Sequence, residues 1–112
     1  MPQIGIFTRL ANGYSGRIRT LTLDCELTLV AIDDSEAENL PDYRIHLGEG
    51  DEGSEVGAAW KRTGKRAGEY VSLLIDDPVF AHPIRANLFQ SDAVGSSFHL
   101  FWTRALKRKD RW

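Results

Sequence analysis

The chain is poor in sulfur and proline and has no long apolar run. One of its 112 residues is cysteine and four are proline. Cys25 alone can form no intrachain disulfide and cannot build a zinc site of several thiolates. The apolar stretches are only a few residues long, so nothing in the chain is expected to span a membrane. The opening residues Met1-Pro2-Gln3-Ile4-Gly5 show no basic segment followed by an apolar one, so no secretory signal is expected. These absences predict a soluble cytoplasmic protein and leave its oligomeric state open.

Catalytic signatures are missing too. His46, His82 and His99 fall in no metal-ligand spacing, and neither Cys-x-x-Cys nor His-Glu-x-x-His occurs. Cys25 precedes Glu26 and has no basic sequence neighbour to lower its pKa, so it reads as a structural thiol. No Gly-x-Ser-x-Gly elbow is present. Gly48-x-Gly50-x-x-Gly53 spells a phosphate-loop pattern. Its Glu49, Asp51 and Glu52 would repel a pyrophosphate, however, and no helix follows. The same loop lacks the twelve-residue calcium pattern and reads as a solvated turn. Asp33-Asp34 and Asp76-Asp77 read as strand-ending turn residues. The expectation is a protein without catalytic residues, metal or cofactor.

What is present is a β pattern. Hydrophobic residues make up 42% of the chain, enough for one core at this length. Strands are predicted over Ile4–Arg9, Tyr14–Leu23, Glu26–Ile32, Tyr43–Leu47, Val56–Arg62, Glu69–Ile75, Ile84–Phe89 and Phe98–Thr103. Tyr43, Ile45 and Leu47 alternate with Arg44 and His46, and Phe98, Leu100 and Trp102 share one face. Asn12-Gly13 supplies a hairpin turn, and Gly16 marks a bulge or a close backbone approach. Ser35 with Glu36 and Glu38 can cap one helical turn that Pro41 ends. Eight or so mostly antiparallel strands, spaced at about ten residues, predict an all-β sandwich or small barrel. Residues 1–104 form the domain, and 105–112 form a basic tail. As an open sheet, it would leave Val56–Arg62 free to pair with a second copy.

Short motifs recur between the halves. Ile4–Arg9 parallels Val56–Arg62, Leu21–Asp24 parallels Leu73–Asp76, and Pro41–Leu47 parallels Pro83–Leu88. Two related β-units or chance likeness among strands would both give this.

Net charge is −2, but the charges are segregated. Residues 24–55 hold eleven acids and one base, Arg44, a net −10. The remainder holds thirteen bases and five acids, a net +8. Either the folded molecule is electrically two-sided or the two sets interleave as surface pairs. The basic set carries the functional lead. Trp60-Lys61-Arg62 enters one hairpin turn, Lys65 and Arg66 lie in it, and Tyr70 returns on the partner strand. Cations for phosphates and rings for stacking suit a nucleic acid. Arg17 and Arg19 on the first hairpin would extend that surface. The competing reading makes Trp60 and Tyr70 cross-strand packing residues on a solubilised hairpin.

Longer motifs carry a resemblance. They are Pro2-Gln3-Ile4-Gly5-Ile6-Phe7-Thr8-Arg9, the stretch from Gly13 to Leu23, Pro41-Asp42-Tyr43-Arg44 and Gly57-Ala58-Ala59-Trp60-Lys61-Arg62. Tyr70-Val71-Ser72-Leu73, Asp76-Asp77-Pro78, Pro83-Ile84-Arg85-Ala86-Asn87-Leu88 and Trp102-Thr103-Arg104 complete them. Together they resemble the domain-of-unknown-function 736 family of bacterial proteins, from Met1 to about Arg104. The resemblance implies a setting on plasmids and integrative elements and assigns no catalytic residue. Two expectations follow. One is a non-enzymatic accessory module of a mobile element that associates with DNA or RNA. The alternative is a protein-binding anti-defence or inhibitor-type factor, whose acidic segment faces a basic host protein.

Overall fold

Period-two alternation persists through nearly every strand, so each has one face to bury and one to expose. A computed structural model describes residues 2–32, 40–66 and 68–102. Eight strands form: β1 (Gln3–Leu10), β2 (Gly13–Arg19), β3 (Asp24–Ala31), β4 (Tyr43–Leu47), β5 (Glu55–Gly64), β6 (Gly68–Ile75), β7 (Ile84–Gln90) and β8 (Ser97–Trp102). Each pairs antiparallel with the next, and β8 pairs back onto β1. The result is a closed up-and-down barrel. Closure removes every sheet edge. The expected free edge on β5 is therefore absent, because β5 is paired with both β4 and β6.

Inward side chains fill the interior. Phe7, Ile18, Leu27, Leu29, Ile45, Leu73, Leu88 and Leu100 are fully buried. Small residues sit among them: Gly5, Gly16, Ala59 and Ala86. Such alternation of large and small lets a narrow barrel pack without voids. Gly16 lies opposite Phe7 in unbroken register, so it marks the close approach and not the bulge. A Cβ there would stand 2.4 Å from Phe7 Cγ and 2.3 Å from the Ile6 carbonyl oxygen. Register shifts fall instead between Gln3 and Gly5, and between Ile45 and His46.

Two other details differ from expectation. The first hairpin turns on Ala11-Asn12, with Leu10 paired to Gly13. Gly13 is required by proximity, since its Cβ would meet the Leu29 carbonyl oxygen at 1.8 Å. β2 ends at Arg19, four residues short of the predicted Leu23. The halves β1–β4 and β5–β8 place Ile4–Arg9 and Val56–Arg62 on equivalent strands. Pro41–Leu47 and Pro83–Leu88 fall on β4 and β7, which a four-strand repeat would not superpose. The turn predicted at Ser35 and the tail from residue 105 lie outside the described residues.

The glycine-rich loop 48–53 folds onto the outside of β3. Gly48 and Gly50 have φ of 89° and 82°, values that favour glycine. Thr28, 3% exposed, donates its hydroxyl to the Gly48 carbonyl at 2.8 Å. It also accepts the Gly50 N–H at 3.0 Å. His46 Nδ1 lies 3.0 Å from the Gly53 carbonyl and so must carry the proton. The loop is thus a cover for β3, and it buries the outward-facing Thr28. Thr28→Val keeps the shape and strands both loop partners. Its expected cost is about 1–2 kcal/mol, read from urea unfolding.

Asp92 organises the β7–β8 turn. Its carboxylate accepts the N–H groups of Gly95, Ser96 and Ser97 at 3.0, 3.1 and 3.3 Å, and the Ser96 hydroxyl at 3.0 Å. Desolvation pushes its pKa up, but these hydrogen bonds together outweigh it and hold the group below the usual carboxylate range. A depressed folded pKa adds stability above the unfolded value and loses it as pH falls through the folded one. The thermal midpoints of the native chain and Asp92→Asn should therefore differ most near neutrality. They should converge in acid, as followed by circular dichroism.

Candidate nucleic-acid interface and barrel mouth

Strand parity decides where each candidate residue points. On β5, Gly57 and Ala59 face the core, so Lys61 points inward and Trp60 and Arg62 point outward. Tyr70 pairs with Arg62 and shares its outer face. Lys65 and Arg66 are exposed in the β5–β6 turn. Trp60, Arg62 and Tyr70 are therefore brought together on one surface, with Lys65 and Arg66 at its rim.

Arg17 and Arg19 are not part of it. They lie on β2, which is four strands away from β6 in either direction around the eight-stranded barrel. Their outward side chains point away from those of Tyr70 and Arg62. Asp24 also engages them, with Oδ1 2.6 Å from Arg17 and Oδ2 3.9 Å from Arg19.

The sheet adds rings that the hairpin reading did not include. Phe89 stands beside Tyr70, ring centroids 5.2 Å apart, and Phe101 beside Phe89 at 5.9 Å. His99 meets Phe101 at 6.3 Å. His99 is paired with Phe89 on one side and Ile6, 56% exposed, on the other. The outer face of β6, β7, β8 and β1 thus carries the half-buried series Tyr70, Phe89, His99 and Phe101. Arg62 lies at one end of the series. Alternation alone places Phe89 and Phe101 outward, since Leu88 and Leu100 point inward.

The barrel end that holds the β1–β2, β5–β6 and β7–β8 turns opens into a cavity of about 350 Å³. Arg9, Tyr14, Tyr43, Lys61, Glu69 and Gln90 are among its lining residues. Tyr14 packs edge-on against Tyr43 and Phe98, at 5.7 and 4.9 Å. The Arg9 guanidinium lies 5.4 Å from the Tyr14 ring and 5.2 Å from Phe98. Lys61 Nζ lies 5.9 Å from the Tyr43 ring. Burial pushes the pKa of both tyrosines up, and each phenol also feels the other.

Charge separates along the barrel axis, incompletely. Arg9, Lys61, Arg62, Lys65 and Arg66 gather at the mouth end, with Asp42, Glu69 and Asp92 among them. Glu49, Asp51, Glu52, Glu55, Asp76 and Asp77 gather at the other end, with Arg17, Arg19 and Arg85. Among the described residues, no group of three or more His, Cys, Asp or Glu is placed to hold a metal ion. Burial pushes the Cys25 thiol pKa up, against thiolate chemistry.

A profile of the family described as "Protein of unknown function (DUF736)" matches residues 3–105. The chain belongs to this family. Comparisons with curated proteins and with solved structures gave no match. No described helix is long and apolar enough to cross a membrane. Family membership covers both the aromatic face and the mouth, and attaches no activity to either.

Proposed function

We propose that this family member associates with single-stranded nucleic acid through the outer face of β5–β8. The observation that carries this reading is the aromatic series Tyr70, Phe89, His99 and Phe101, with Arg62 at its edge and Lys65 and Arg66 beyond. Outward barrel positions meet water and are ordinarily polar. Rings held there offer faces to bases, and the adjacent cations meet phosphates. Trp60 lies on the same face, one row further along β5. A module of this kind would act as an accessory factor and not as an enzyme.

Fluorescence-anisotropy titration with a labelled oligonucleotide tests it. Binding should weaken steeply as salt rises from about 50 to 200 mM. Arg62→Ala should reduce the slope of log affinity against log salt by about one. No anisotropy change at low salt with excess protein would reject the proposal.

A second reading rests on the opposite end. Exposed Glu49, Asp51 and Glu52 crown a loop pinned by Thr28 and His46, a rigid acidic surface suited to a basic protein. Charge reversal of the three should abolish capture of such a partner.

A further inference from the structure

We propose that the barrel mouth is a separate binding site for a small organic anion bearing a carboxylate or phosphate head. Three observations support it. Its volume, about 350 Å³, falls at the small end of the range of ligand pockets, roughly 300–1,000 Å³. A metabolite-sized molecule fits and a polymer does not.

Its charge selects an anion. Arg9 and Lys61 line the cavity, with Arg62 bordering it from the outer face, against one acid, Glu69. Among the described residues, no carboxylate lies within ion-pair distance of Arg9 or Lys61. Both cations are instead laid on aromatic rings, which leaves their charge uncompensated.

The site is also held in place before any ligand arrives. Arg9 Nε donates to the Gly95 carbonyl at 3.2 Å, so the guanidinium keeps its other N–H groups for an oxyanion. The Lys61 backbone N–H is fixed on Asp42 Oδ2 at 2.8 Å. Tyr14 and Tyr43 line the cavity edge-on to each other, ring centroids 5.7 Å apart, and each carries a phenol O–H that can donate to a bound oxygen. Val71, Leu88 and Phe98 supply apolar wall for the ligand's carbon body. The Arg9 side chain, anchored on the Gly95 carbonyl, loses little entropy on binding.

The test uses the full chain with labelled tyrosine, titrated with adenosine monophosphate, inorganic phosphate and benzoate and followed by NMR. Saturable shifts of Tyr14 and Tyr43 are expected for at least one probe, with Tyr70 at the cavity border responding less. Benzoate binding alone identifies a carboxylate head, and adenosine monophosphate or phosphate binding identifies a phosphate head. Arg9→Gln and Lys61→Gln should each weaken binding about tenfold or more. Two variants guard against one failing to fold. Phe89→Ala/Phe101→Ala, which leaves the mouth intact, should bind the probe unchanged. This holds whether or not the strand-binding proposal survives. Non-saturating shifts for all three probes up to about 10 mM would overturn the assignment. So would unchanged affinity in both cation variants.

Discussion

Phe7→Ala is expected to cost about 3–5 kcal/mol, the usual range for removing a core phenylalanine. Small domains are stable by only about 5–15 kcal/mol, so this variant should sit near the edge of folding. Phe7 is fully buried on β1, between Gly16 of β2 and Phe98 of β8. Its ring occupies the space that Gly16 leaves, so truncation opens a void with no side chain on one wall. The backbone cannot close it, because β1 is hydrogen-bonded on both sides in a closed barrel. Urea unfolding should show a midpoint roughly 2 M lower at unchanged slope. Gly16→Ala should destabilise the native chain and relieve little of the loss in the Phe7→Ala background. The added methyl still meets the Ile6 carbonyl oxygen at 2.3 Å. A double-mutant cycle measures that coupling.

The second large effect concerns binding. Tyr70→Ala/Phe89→Ala removes two adjacent stacking faces whose centroids lie 5.2 Å apart. Base–aromatic stacking contributes about 1–3 kcal/mol per base, so affinity for a single strand should fall about 100-fold or more. Both rings lie on the outer face and are only half-buried, so the inward core remains whole. The unfolding midpoint should move far less than it does in Phe7→Ala. Arg17→Ala/Arg19→Ala is the matched control. Those arginines face away from the rings and are tied to Asp24, so affinity should change little. If the arginine pair mattered more than the ring pair, the strand would run over β2 and the proposed face would be wrong.

The strands were legible because a half-buried sheet has a period of two. Tyr43–Leu47 is observed with its predicted limits, and the other strands with shifts of a few residues. Boundaries went astray where local chemistry misleads. Thr20 to Leu23 continues the alternation of β2, yet Leu21 is fully exposed there. The Thr20 N–H bonds the Leu23 carbonyl at 2.7 Å, and the Leu23 N–H bonds Thr20 Oγ1 at 3.1 Å. Those two bonds close a turn that periodicity cannot register. Asn12-Gly13 carried a strong turn signal, but contact with Leu29 on β3 determined what Gly13 does.

The candidate interface divides in the same way. The residue order alone set the composition of the surface, and alternation along β5 separates Trp60 and Arg62 from Lys61, which the basic-cluster reading groups with them. It also determined which acids and bases the chain carries, and the absence of recognisable catalytic and metal-ligand motifs. Which of these residues meet depends on strand pairing and barrel closure. Cross-strand pairing brought Phe89, His99 and Phe101 beside Tyr70, through contacts between strands distant in sequence. Barrel closure turned Arg17 and Arg19 to the far side and collected Arg9, Tyr14, Tyr43 and Lys61 into one mouth. Parity along a strand is a local consequence of backbone geometry. Strand order and closure are collective properties of eight paired strands, so the sites exist only once the barrel has formed.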